Sequence, residues 1–229
     1  IAKMVEQLQA ALGSQDNENG AVNWKLATDQ ARAIARENAQ GVSEESRKAI
    51  RDATAIGTLW LDQATAMAGV NIEPKLLTRE LWVADAMPLF EALSAPVANR
   101  MSEALAQNLK DNAPEELSAI LGNASGLMRS AGGALFAMQL GQAIGKLSAE
   151  VISGGDIGLP IFQDQRAAFV PQNMSTFVAG LEIEADQAFI FLCVREMAHT
   201  RLFKHSKWLR DSIVSQISNY ASGIKIDNQ

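Results

Sequence analysis

Both histidines of the chain and its only cysteine fall within residues 189–208, FIFLCVREMAHTRLFKHSKW. At the centre of this stretch is Arg195-Glu196-Met197-Ala198-His199. One substitution separates it from His-Glu-x-x-His, in which two histidines a helical turn apart hold zinc and the glutamate activates water. By that pattern Glu196 is the candidate general base and His199 a candidate metal ligand. Arg195 replaces the first histidine ligand, and a guanidinium that stays protonated cannot bind zinc.

His205 supplies a second candidate ligand. REMAHTRLFKH has the spacing of an eleven-residue extended zinc motif, with Glu in position two and His in positions five and eleven. Leu202 stands where that motif carries the glycine that turns the chain. Six residues of unbroken helix rotate a side chain by about 600°, which leaves His205 about 120° away from His199. Convergence therefore requires the helix to end near Phe203. Phe189, Leu192, Glu196, His199 and Phe203 recur at three- and four-residue steps and share one face. Cys193, in an apolar run with no activating base, reads as a small buried residue. No Gly-x-Ser-x-Gly elbow accompanies the histidines, so a serine triad is not indicated. Lys204, Lys207 and Arg210 lie near the helix end, where cations favour the helix dipole.

The elements that must position this helix are mostly helical. Alanine is abundant and Pro is sparse, at six residues. Ile1, Val5, Leu8 and Leu12 have helical spacing, and the polar acidic run Ser14–Gly20 follows as a loop. Asn23 and Ser43 can cap the next two helices, the second with Glu44 and Glu45 in its first turn. In that second helix Ile50, Ala53, Ile56/Gly57, Trp60 and Ala64 form the expected apolar stripe. Thr78 caps a segment that Pro88 and Pro96 should break or kink into two or three pieces. Asn112-Ala113-Pro114 marks a boundary, and Pro114-Glu115-Glu116 reads as the first turn of another helix. Residues 125–152 carry Gly132, Gly133, Gly141 and Gly145, and the last two permit close approach of another backbone. Ser153–Gln165 reads as loop or short edge strand, Arg166–Pro171 as a short strand, and Asn173 as the cap of a short helix. Glu184 or Asp186 opens the motif helix. The fold class is mainly α, with at most a small β element. The expected division is an N-terminal helix and acidic loop (1–22), a helical bundle region (23–152) and the motif-bearing region (153–229).

Composition narrows the function classes. Of the 229 residues 48% are hydrophobic and 20% charged, which suits a globular chain with an ample core. A net charge of −6 without a basic face argues against nucleic acid as partner. The longest uncharged stretch, Ser130–Gly145, is too short for a bilayer crossing and carries Gln139 and Gln142, so no membrane span is expected. One cysteine and no apolar leader point to the cytoplasm. Oligomeric state is not legible.

Several motifs in order carry a resemblance. GGALFAMQLGQAIGKLSAEV, the GDIGLPI loop, VPQNMSTFVAGLEI, REMAHTRLF with KHSKWLRDSI, and the YASGIKID end resemble the zincin-like metallopeptidase family, found mainly in actinobacteria. Its members carry labels such as hydrolase or zinc-dependent metalloprotease. The resemblance runs from about Asn23 to Asp227. It is closest to a branch with Arg at the first motif position; a sister branch, associated by name with deazaflavin-coenzyme biosynthesis, has the full His-Glu-x-x-His. It implies a helical N-terminal region leading to a zincin-type helix, zinc as cofactor, and a peptide or protein substrate. It also implies sequence beyond Gln229 that could hold a third ligand. Glu196 matches the base position and His199 the second ligand; Arg195 departs from the pattern.

Two readings follow. One is a metallohydrolase using Glu196 with His199 and His205. The other is a catalytically silent zincin-like protein, a structural or partner-binding module, in which Arg195 takes the cation's place and pairs with Glu150, Asp156 or Glu184.

Overall fold

The computed structural model describes residues 22–70, 72–111, 118–162 and 166–223. The readings of 1–20 and of 112–116 lie outside these residues. Among the described residues there are seven helices and one two-stranded sheet, in the order α1 (Trp24–Arg36), α2 (Glu44–Ala64), β1 (Lys75–Leu76), α3 (Arg79–Asp111), α4 (Ser118–Leu147), β2 (Ala168–Phe169), α5 (Pro171–Val178), α6 (Ala185–His205) and α7 (Lys207–Ser222). The mainly α expectation holds, with a small β element.

The chain forms two compact units, each assembled from separated segments. Among the described residues, the first comprises 22–31, 88–111, 118–143 and 214–223; the second comprises 32–70, 72–87, 144–162 and 166–213. In the first, the Trp24 and Phe136 rings meet edge to face, 6.5 Å between centroids. A Cβ on Gly141 would stand 2.6 Å from the Ala27 carbonyl oxygen. The glycine is there because another backbone passes against it, as its spacing with Gly145 suggested.

The second unit holds the motif helix. Its core gathers Ile50 and Ala53 of α2, Ile152, Phe169 of β2, Met174 of α5, and Leu192 and Cys193 of α6. Gly57 lets α2 approach α6 closely, since a Cβ there would lie 3.0 Å from Val194 Cγ2. The caps read from the sequence form: Asn23 Oδ1 accepts from Leu26 N at 2.9 Å, Ser43 Oγ from Ser46 N, and Thr78 Oγ1 from Leu81 N.

Three local expectations are corrected. Pro88 and Pro96 lie inside one continuous helix, α3. Each removes a single i→i−4 bond, to Ala84 and Ala92, and the remaining turns outlast that loss. The buried stripe of α2 is Ile50, Ala53, Thr54, Gly57 and Leu61, whereas Ile56 and Trp60 are exposed. Thr54 and Gly57 face the core because a hydroxyl can bond its own helix (Thr54 Oγ1 to the Arg51 carbonyl) and a glycine admits the neighbouring helix. Asn173 is buried inside α5 and caps nothing. Its Nδ2 donates to the Ser148 and Val151 carbonyls, and its Oδ1 accepts from Arg79.

The small sheet sets the floor of the site. β1 and β2 pair in parallel, Lys75 with Ala168 and Leu76 with Phe169. On the other side of β2, Gly154 N donates to the Ala168 carbonyl and Val170 N to the Ile152 carbonyl. Segment 152–154 is thereby held beside β2, with its backbone presented to α6. One stretch of the described residues, Arg79–Met101, is long and apolar enough by length and composition to cross a membrane, and a third of it is buried.

Candidate functional site

α6 begins after Glu184, ends at Ser206, and runs without interruption through the whole motif. Its continuity decides which side chains meet. Glu196 and Phe203 are buried on the shared face, at 4% and 2% exposure. His199 is half-buried between them and packs edge-on to Phe203, 4.7 Å between ring centroids.

Glu196 is almost enclosed by donors. Its Oε2 accepts from Ser153 Oγ at 2.7 Å and from Gly155 N at 3.1 Å, and its Oε1 accepts from Ala168 N at 3.4 Å. Burial disfavours the charged form and pushes the carboxyl up to about 7, even though all three hydrogen bonds pull the other way. A carboxylate accepting two or three such bonds in a more open setting would titrate well below 4. Here desolvation wins.

Gly155 makes this closeness possible. A Cβ at that position would fall on the His199 ring and 2.8 Å from Glu196 Oε2. Any side chain would displace both motif residues. Gly158, at φ 86°, supplies the left-handed turn that closes the same loop. Burial, assisted by the Arg195 charge, holds His199 below the usual histidine range, against the opposing pull of a backbone hydrogen bond with Gly158 and of Asp156.

Arg195 pairs with the loop. Its Nη1 lies 2.6 Å from Asp156 Oδ1, and Asp156 Oδ2 accepts from Ile152 N. Of the three carboxylates considered for it, Asp156 is the partner. Cys193 is fully buried, and desolvation pushes its thiol up to about 12, as suits a core residue.

His205 sits in the last turn of α6, exposed, with Nε2 3.1 Å from the Ala68 carbonyl oxygen. A carbonyl only accepts, so this contact needs the proton on Nε2. Because the helix continues through His205, that residue stays about 120° around and about 9 Å along the axis from His199. Among the described residues no group of three or more His, Cys, Asp or Glu side chains converges in a way that could hold a metal ion.

A family model for zincin-like metallopeptidases matches residues 22–229. The chain belongs to that family. No curated protein and no solved structure matches it. The described residues of this family member do not fit a catalytic zinc, which takes three protein ligands and one open position. The guanidinium at the first ligand position is engaged with Asp156, and the base carboxylate already accepts from three protein donors.

Sequence reasoning found Glu196, His199 and Arg195 but missed Ser153, Gly155 and Ala168, which complete the cluster. Ser153-Gly154-Gly155-Asp156 carried a signal: paired glycines beside a hydroxyl and a carboxylate mark a backbone that something approaches closely.

Proposed function

We propose that this zincin-like protein acts as a catalytically silent structural or partner-binding module, with the motif helix fastened to loop 153–158 by side chains that in an active relative would serve metal chemistry. One observation carries this reading: both Glu196 oxygens are bonded within the protein, Oε2 to Ser153 Oγ and Gly155 N, Oε1 to Ala168 N. Three of the carboxylate's roughly four lone-pair sites are thus taken by protein donors, and a base must aim a lone pair at the proton it removes. Arg195 supports the same reading, since its charge is spent on Asp156 beside the cluster. In this arrangement Glu196 holds together three chain segments, α6, 153–155 and β2.

A second reading, a metallohydrolase acting on peptides or proteins, is favoured by family membership and by the Glu196 carboxyl lying near 7, the range suited to a general base at neutral pH. It would use Glu196 as base, with His199 and His205 as metal ligands. The two separate in a peptide-hydrolysis assay of the purified chain supplied with zinc. The silent reading expects no turnover above background and no difference on Glu196→Gln. Turnover that disappears in Glu196→Gln overturns it.

A further inference from the structure

Met197, Thr200 and Arg201 lie about 100°, 40° and 140° around α6 from Glu196, to one side of it, and line a different space. This is an open cavity of about 420 Å³ between α6, α2 and the segments flanking β1, and neither Glu196 nor His199 reaches it. Its size, near the low end for small-molecule sites, suits a compact ligand.

Four charges line the cavity: Arg51, Asp62, Glu73 and Arg201. Arg201 is the unusual one, buried at 2% exposure. Its Nη2 donates to Asp62 Oδ1 at 2.7 Å and its Nη1 to the Met67 carbonyl at 3.1 Å. A guanidinium has five N–H donors, so this buried group is only partly satisfied. Arg51 and Glu73 are exposed and have no ion-pair partner among the described residues. The cavity thus offers two cations and two carboxylates, of which Arg201 and Asp62 pair with each other while Arg51 and Glu73 make no ion pair among the described residues.

The walls are fixed in advance. Arg201, His205 and Lys204 engage the Met67, Ala68 and Gly69 carbonyls in turn, which fastens the wall segment to α6. Gly69 allows the guanidinium beneath it, since a Cβ there would lie 3.1 Å from Arg201 Nη2. Thr54, Thr58 and Thr200 each donate the hydroxyl proton to a backbone carbonyl, leaving oxygen lone pairs as acceptors. Val70, Ile72, Met197 and Ala167 supply apolar surface beside them.

We propose that this cavity binds a small zwitterion with an apolar body, of the free α-amino-acid class. The carboxylate lies against Arg51 and Arg201, the ammonium against Glu73 and Asp62, and the side chain against Val70, Ile72 and Met197. A phosphate dianion would meet Asp62 and Glu73 with like charge, and a simple cation would meet the two arginines. A ligand carrying both signs meets neither penalty.

The test is calorimetric titration of the purified chain with L-leucine, N-acetyl-L-leucine and L-leucinamide, each of the last two lacking one charge. Arg201 also holds the wall, so its variants could lose the fold; the rim variants Arg51→Gln and Glu73→Gln keep the test sharp. Expected are saturable binding of L-leucine and at least about tenfold weaker binding of either blocked compound. Arg51→Gln is expected to weaken L-leucine about tenfold and leave L-leucinamide unchanged; Glu73→Gln is expected to weaken L-leucine similarly and leave N-acetyl-L-leucine unchanged. Absence of saturable L-leucine binding up to about 10 mM, or affinity indifferent to blocking either charge, overturns the proposal.

Discussion

The two faces of α6 solve the same problem in opposite ways. On one, Glu196 is buried at 4% exposure and meets three protein donors, so the polar group is closed within the protein. On the other, Arg201 is buried at 2% exposure yet meets only two acceptors and borders an open cavity. The first face has the residues expected to do chemistry, tied to loop 153–158 and β2; the second borders a cavity and carries no motif. How far a buried polar group is bonded within the protein, more than residue identity, distinguishes the two faces.

Paired glycine substitutions break this comparison most severely. Gly155→Ala places a methyl on His199 and Glu196, and a destabilisation of about 3 kcal/mol or more is expected in urea unfolding. Gly69→Ala meets only the end of the Arg201 side chain, which can give by a few tenths of an ångström. A loss of about 1 kcal/mol or less is expected there. Equal losses would show that the two faces are equally tight.

Glu196 gives the next effect, and its sign is fixed by the direction of its shift. The folded-state carboxyl titrates near 7, above its ordinary 4.5, so the folded protein holds the proton more tightly than the unfolded chain. That contribution is fully present below about pH 4.5 and is lost as pH rises through about 7, a change of roughly 3 kcal/mol. Denaturant unfolding between pH 5 and 8 is expected to show this fall in the native chain and a flatter profile in Glu196→Gln. Identical profiles would mean that burial does not govern Glu196.

The smallest effect belongs to Arg195. Its side chain is half exposed, so Arg195→Ala is expected to cost less than about 1 kcal/mol, while Asp156 keeps its bond from Ile152 N. A loss well above that would make Arg195 part of the core fastening.

How much of this the sequence disclosed differs between fold and site. The caps at Asn23, Ser43 and Thr78, the motif helix and the shared face of Glu196, His199 and Phe203 were legible, because each is a local pattern of a few residues. The uninterrupted α3 was not, since two prolines are local breakers whose cost other turns can absorb. The Glu196 cluster was half legible. The helix partners lie three or four residues apart, but Ser153, Gly155 and Ala168 come from 28 to 43 residues away and meet Glu196 only through the pairing of 152–154 with β2. Arg201 was hidden for a similar reason: its partners, Asp62 and Met67, come from a distant helix and the segment after it.

Zinc content per chain, measured by elemental mass spectrometry on the purified protein and on His199→Ala, tests the central claim most directly. The arrangement around Arg195 and Glu196 predicts zinc well below one atom per chain, with no change in the variant. One zinc per chain in the native protein, lost on His199→Ala, would contradict it.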